Sequence, residues 1–127
     1  MNNNNKDFIR IGFMNVRGQT GLDESKQFQI EQFIQIYKID ILNCQEINIE
    51  ENSFRYCKFI TANFEVITNN ASNKYGTCTF IKNNFSFSNV KMDTNGRALV
   101  YDINNITFGN VYLPSGNDAI AKQKSCF

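Results

Sequence analysis

Asp40-Ile41-Leu42-Asn43-Cys44-Gln45-Glu46 places Leu42, Cys44 and Glu46 at one parity and Ile41, Asn43 and Gln45 at the other. Successive side chains of an extended chain point to opposite faces. The stretch therefore predicts a strand over 40–46 with an apolar face closed by a carboxylate. Upstream, residues 8–15 read in the same way. Ile9, Ile11 and Phe13 share one side, and Asn15 is the next residue of that parity, predicted to end the strand facing inward. Between the two lies a turn-prone stretch with Gly18 and Gly21. Then Ile30, Phe33, Ile34 and Tyr37 recur at i, i+3, i+4 and i+7, the stripe of an amphipathic helix. That helix is predicted over 23–38, with Thr20 or Asp23 as the N-cap whose side-chain oxygen accepts an unpaired backbone N–H of the first turn.

Beyond the second strand, β-rich runs predict strands over 64–68, 76–81, 85–92, 96–103 and 106–113. The last two are joined by Asn104-Asn105, and asparagine tolerates the positive φ that a two-residue type I′ hairpin turn requires. Pro114 ends the final strand. Strand, helix, strand and then several antiparallel strands make an α/β or α+β sheet protein whose first helix packs on the sheet.

With 127 residues, 42% hydrophobic and 20% charged, the chain has room for one domain of ordinary size. Twelve Phe and five Tyr supply a core, unlike the aromatic-poor composition of disordered chains. A formal net charge of +1 gives no sign of the basic excess usual in free-standing nucleic-acid binders. The N-terminal stretch 1–7 is Asn-rich and polar, predicted disordered, with no apolar run for a signal or membrane span, so the expectation is an intracellular chain without membrane contact. Cys44, Cys57, Cys78 and Cys126 form no Cys-x-x-Cys pair, and the sequence holds no histidine to complete a zinc site. They read as reduced thiols, Cys44 and Cys78 as small hydrophobes within apolar runs.

The chemistry-bearing feature is the pair of strand ends, Asn15 before Val16-Arg17-Gly18 and Gln45-Glu46. If the two strands are neighbours through the intervening helix, their ends meet at one rim, the usual place for a site in α/β sheets. A carboxylate and an amide, with water in the remaining positions, suit Mg²⁺, a cation that prefers oxygen and keeps part of its hydration. On spacing alone, the favoured reading of Glu46 is a solvated strand-end residue.

Met14-Asn15-Val16-Arg17-Gly18, the helix, and Ile39 through Glu46 together resemble the opening of the endonuclease/exonuclease/phosphatase family, which includes exonuclease III-like and abasic-site nucleases, deoxyribonuclease I and LINE-type retrotransposon endonucleases. Tyr75-Gly76-Thr77-Cys78-Thr79-Phe80-Ile81 resembles that family's Gly-containing strand. Asn95-Gly96-Arg97-Ala98-Leu99-Val100 with Asn110-Val111-Tyr112-Leu113-Pro114-Ser115-Gly116 resembles its next hairpin. The resemblance runs from Ile11 to Gly116 and matches the first half of a family domain. It implies half of a deoxyribonuclease I-like four-layer α/β sandwich, mostly antiparallel, and a Mg²⁺-dependent (or Mn²⁺-dependent) phosphodiesterase. Asn15 then holds the scissile phosphate or attacking water and joins Glu46 at the metal, and Tyr112 donates its phenol to a phosphate oxygen. Arg97 and Ser115 are further phosphate contacts, since arginine binds phosphate in bidentate fashion. Arg97, placed on a strand, reads equally as a surface cation.

Two departures qualify the resemblance. Arg17 stands where many relatives carry Asn or Asp. The family's later Asp-x-Asn motif and its terminal Ser-Asp-His motif have no counterpart after Pro114-Ser115-Gly116, and without histidine no imidazole can move protons. The expectation is therefore a nuclease-domain portion over 8–116 with a truncated tail over 117–127, of retrotransposon type, acting on DNA or another phosphodiester and inactive alone. An element-encoded nuclease would be nuclear. The alternatives are a phosphatase or phospholipase of the same fold, and a non-catalytic remnant or binding fragment. A sandwich cut in half also exposes an apolar sheet face, which promotes association.

Overall fold

The computed structural model describes residues 8–18, 23–47, 57–70 and 76–113. In chain order the elements are β1 (Ile11–Gly18), α1 (Glu24–Tyr37), β2 (Ile41–Ile47), α2 (Lys58–Asn63), β3 (Phe64–Asn69), β4 (Gly76–Lys82), β5 (Ser88–Met92), β6 (Ala98–Ile103) and β7 (Ile106–Val111). The fold is α+β with mostly antiparallel sheet. One sheet runs β1-β2-β4-β3, in which only β1 and β2 are parallel, and the other runs β5-β6-β7.

Alternation along β2 and β4 explains the layering. Leu42, Cys44, Cys78 and Phe80 face the helices, where Ile30 and Ile34 of α1 and Ile60 of α2 complete a buried cluster. Ile41 and Ile81, on the opposite face, pack against Leu99, Tyr101 and Ile103 of β6. Burying one such aliphatic side chain contributes about 1.5–3 kcal/mol, so each face of the central sheet is held by a separate core. Both faces of β4 are covered, and every residue from Gly76 to Ile81 is buried.

Polar groups also join the sheets. Asn43 Oδ1 accepts from Thr79 Oγ1 at 2.8 Å and from the Tyr101 hydroxyl at 2.9 Å. Asn110 Nδ2 reaches the carbonyls of Cys44 and Cys78 at 3.2 and 3.0 Å, and its Oδ1 accepts from Gln45 Nε2 at 2.8 Å. Buried polar atoms of this kind require partners, and these fix β7 above β2 and β4.

The helix forms where the apolar stripe placed it, between Asp23, whose Oδ1 accepts the Lys26 N–H at 2.8 Å, and the left-handed Lys38. Asp23 is thus the N-cap; Thr20 lies outside the described residues, as do the 1–7 and 117–127 tails. Ile30 and Ile34 are buried, whereas Tyr37, at the end of the stripe, is exposed. The Asn104-Asn105 turn has φ of 52° and 65°, as the type I′ reading requires. Short α2 was not anticipated. The strand expected over 85–92 begins only at Ser88, because Phe85 closes a turn onto the Lys82 carbonyl at 2.9 Å. Arg97 stands in the connection before β6 rather than on a strand.

The first strand departs from the expected inward side. Ile9 and Ile11 pack toward the second core, but Phe13 is 61% exposed and Asn15 is exposed. β1 is an edge strand, and the Asn110 hydrogen bonds of β7 reach β2 and β4.

Candidate active site

Paired irregularities at the ends of β1 and β2 build the rim. Asn15 is in register with Gln45, and the next matched pair is Gly18 with Ile47, so Val16 and Arg17 oppose Glu46 alone. Glu46 is the extra residue against β4 as well, because Gln45 pairs with Thr77 and Ile47 with Gly76. Both bulged residues have left-handed backbone, φ 52° at Arg17 and at Glu46, a conformation costly to side chains with a Cβ. Bulges of this kind re-aim side chains near sites.

The expectation that Glu46 closes the Leu42–Cys44 face is therefore corrected. Ile47 takes that place in the helix-side core, and the Glu46 carboxylate meets the opposite sheet, where Oε1 accepts the Tyr112 hydroxyl at 3.0 Å. Several groups hold the bulge. Lys26 Nζ donates to the Val16 carbonyl at 3.0 Å, and the Arg17 N–H donates to Asn15 Oδ1 at 3.1 Å. Gly76 is required by packing, since a Cβ there would lie 2.5 Å from the Asn69 carbonyl oxygen.

Tyr112 is set by β7. Its N–H donates to the Arg97 carbonyl at 2.8 Å, which seats Arg97 opposite Tyr112 at the same end of the molecule. Asn15, Glu46, Tyr112 and Arg97 thus gather at one rim through backbone register and one side-chain contact. Ser115 lies outside the described residues. Pattern reading missed Lys26, which supports the bulge, and the turn built on Asp93. Asp93 Oδ1 accepts the N–H groups of Arg97 and Ala98 at 2.9 and 3.0 Å and Asn69 Nδ2 at 2.9 Å. Asp-Thr-Asn-Gly at 93–96 is a turn signal that could have located it.

The electrostatics separate the rim from the interior. Burial alone would raise the Asp93 carboxyl, but the N–H groups of Ala98 and Arg97 and the Asn69 amide hold it below its ordinary value. Burial pushes Tyr101 up to about 12, so its hydroxyl stays a neutral donor to Asn43. Burial likewise raises the thiols of Cys44 and Cys78, which stand opposite each other in β2 and β4 and are free. They are packing groups rather than nucleophiles, since the thiolate is the reactive form.

Among the described residues there is no group of three or more His, Cys, Asp or Glu able to enclose a metal ion. The rim offers instead one carboxylate, partly buried, beside an exposed amide. Such an all-oxygen, water-accessible donor set fits Mg²⁺, which is commonly bound through one or two carboxylates while keeping several waters. No described helix is long and apolar enough to cross a membrane.

No protein-family model and no curated protein matches the sequence. Solved structures do resemble the fold. An AP endonuclease from Archaeoglobus fulgidus aligns over 92% of this chain and 46% of its own, with TM-score 0.69 and 21% identity. The 3' phosphatase NExo from Neisseria, bound to a product DNA hairpin, aligns over 92% and 48%, with TM-score 0.70 and 14% identity. Truncated TDP2 from Caenorhabditis elegans aligns over 89% and 49%, with TM-score 0.61 and 13% identity. The fold of the described residues is that of these deoxyribonuclease I-like proteins, and the chain spans about half the length of each.

Proposed function

We propose that the rim of Asn15, Glu46 and Tyr112 is the phosphate- and cation-binding part of a Mg²⁺-dependent phosphodiesterase of the endonuclease/exonuclease/phosphatase family. Its substrate is DNA and its type that of a retrotransposon endonuclease, with a nuclear site of action. The observation that carries this reading is the left-handed bulge that turns the Glu46 carboxylate out of the helix-side core and onto the Tyr112 hydroxyl. Strained backbone of this kind persists where surroundings enforce it, often at functional sites. The ordered motifs support the family, and the DNA-processing enzymes of the same fold support the substrate class.

Each side chain has a role that its contacts permit. Glu46 would hold Mg²⁺, or Mn²⁺, with Oε1 oriented by Tyr112. Asn15 Oδ1 is aligned by the Arg17 N–H, which leaves the Asn15 amide N–H groups to donate to a phosphate oxygen and a second Oδ1 lone pair for a metal-bound water. The single Tyr112 O–H is donated to Glu46 Oε1 here, so it would reach a phosphate oxygen only by turning from that carboxylate when the cation takes the carboxylate oxygen, and Arg97 and Ser115 extend the phosphate contacts. When bound, the cation supplies Lewis-acid stabilisation of the charge that builds on the phosphoryl oxygens. Fixed donors at that position favour the transition state over the ground state. These 127 residues include no histidine, so the reading is of binding without turnover by this stretch alone.

A Mg²⁺ titration followed by amide NMR, paired with a plasmid-nicking assay, tests it. Shifts are expected at residues 15–17, 45–47 and 112, absent in Glu46→Gln, with no nicking by the chain alone. Equal shifts in Glu46→Gln, or none in the parent, would remove the cation site. Robust cleavage would refute the missing acid–base machinery.

A further inference from the structure

We infer that Gln45 and Asn110 are positioning residues, whose side-chain hydrogen bond sets the Glu46 carboxylate against the Tyr112 hydroxyl. The inference rests on the reading of that pair as part of a cation- and phosphate-binding rim, and it names what fixes the pair's geometry.

Consecutive residues of a strand ordinarily point to opposite faces. The bulge in β2 suspends that rule at one place. Gln45 Nε2 donates to Asn110 Oδ1 at 2.8 Å, and the next residue, Glu46, accepts the Tyr112 hydroxyl at 3.0 Å. Two neighbouring side chains of β2 therefore reach the same opposing sheet. Asn110 lies in β7 and Tyr112 directly follows that strand, with its N–H on the Arg97 carbonyl. Their spacing of two puts both side chains on one face of an extended chain. The doubled face of β2 is thus matched to the regular alternation of β7.

The Asn110 amide has one workable orientation. Its Nδ2 lies 3.2 and 3.0 Å from the carbonyl oxygens of Cys44 and Cys78 and 3.2 Å from Thr79 Oγ1. Reversing the amide would set Oδ1 against two carbonyl oxygens, which offer no donor. Oδ1 is left to face Gln45 Nε2, and because Asn110 is fully buried, losing that donor leaves an acceptor without water to replace it. One end of the amide is anchored to β2 and β4, the other to the residue that precedes the Glu46 bulge.

Other contacts set direction rather than separation. The bulge aims Glu46 and the Arg97 carbonyl seats Tyr112, each within its own sheet. Between the sheets, Asn69 bonds Asp93 and Ala98, but β3 lies two strand positions from β2. Along β2 itself the inter-sheet bonds run from Asn43 to Tyr101, from Gln45 to Asn110 and from Glu46 to Tyr112. The middle bond is the immediate neighbour of the site. An O–H···O bond holds over about 2.5–3.0 Å, so a small change in the interval between β2 and β7 breaks the Glu46–Tyr112 contact. Partners that orient a metal-binding carboxylate in this way govern its affinity.

NMR on the full chain tests this with the parent, Gln45→Met, Gln45→Asn and Tyr101→Phe. Gln45→Met keeps the length of the side chain without the donor. Gln45→Asn keeps the amide but withdraws it by one methylene, and serves if the first variant does not fold. Tyr101→Phe deletes a different inter-sheet bond and controls for lost stability. The nuclear Overhauser contact between the Tyr112 ring and the Glu46 side chain is expected in the parent and in Tyr101→Phe, and absent in both Gln45 variants. In Mg²⁺ titrations the Gln45 variants are expected to bind about tenfold more weakly than the parent, and Tyr101→Phe as tightly as the parent. A reading on the parent needs no variant: the Gln45 side-chain amide protons should exchange more slowly than those of exposed Gln35.

A folded Gln45 variant that keeps either the contact or the parent's affinity overturns the inference. So does a parent without the contact, equal exchange at Gln45 and Gln35, or Tyr101→Phe weakening Mg²⁺ as much as the Gln45 variants do. A parent with no Mg²⁺ response, whose contact is nevertheless lost in the Gln45 variants, removes the cation reading and upholds the positioning role.

Discussion

The Tyr112 hydroxyl lies 3.0 Å from Glu46 Oε1, linking residues 66 positions apart in the chain and the two sheets at a single point. Each is placed independently, Glu46 by the bulge in β2 and Tyr112 by its backbone bond to Arg97. The contact is therefore a meeting of two preset groups, and its removal is readable in both stability and cation binding. Tyr112→Phe keeps the ring and deletes the donor. It is expected to cost about 1 kcal/mol in urea unfolding and to weaken the Mg²⁺ response at Glu46 several-fold. A variant that binds Mg²⁺ as the parent does would show that the phenol does not orient the carboxylate.

Arg17 is exposed and holds φ 52° in the β1 bulge. Glycine adopts that conformation without the Cβ conflict, which is worth about 1–2 kcal/mol, while its freer unfolded chain takes back about 0.4–1 kcal/mol. Arg17→Gly should therefore raise stability slightly, by about 0.5 kcal/mol, with the Asn15 contact kept because it uses the backbone N–H. A clear loss in thermal unfolding would mean that the Arg17 side chain has a structural task of its own.

Asp93 carries the pH dependence. Its folded carboxyl titrates below the ordinary 3.8, so the native state favours the ionised form. That stability is present above about pH 4 and is lost as pH falls through the lower folded value. The parent should accordingly exceed Asp93→Asn in melting temperature at neutral pH, and the gap should close in acid. A gap independent of pH would locate the effect in amide geometry rather than charge.

The Asn104-Asn105 turn offers a backbone test remote from the site. With φ 65° at Asn105, Asn105→Ala should cost about 1 kcal/mol, whereas Asn105→Gly should be neutral or stabilising, Asn-Gly being the favoured type I′ pair. Equal losses in chemical denaturation would indicate that the Asn105 side chain, not its φ, matters.

Much of the architecture was legible by simple periods. Ile30, Phe33 and Ile34 located α1, Leu42 and Cys44 marked one apolar face of β2, which the fold turns to the helices, and Asn104-Asn105 marked the hairpin. Asn15 and Glu46 were legible as strand-end residues, and the parallel pairing of β1 with β2 brings those ends to one rim. Short α2 carried too few residues to show a period. The inter-sheet network of Asn43, Thr79, Tyr101 and Asn110 consists of polar residues whose burial depends on partners distant in sequence.

By itself the sequence determined which residues alternate, where the apolar stripe of the helix runs, and that no histidine is present, because these follow from local chemistry and composition. Tertiary structure alone decided which way Glu46 points and whether Phe13 is covered. A left-handed bulge shifts every later side chain to the other face, and it falls beside the Ile47–Gly76 pair, where the Asn69 carbonyl leaves no room for a Cβ. Exposure of Phe13 depends on how far the second sheet reaches over the first, a property of layers that no single strand's pattern contains.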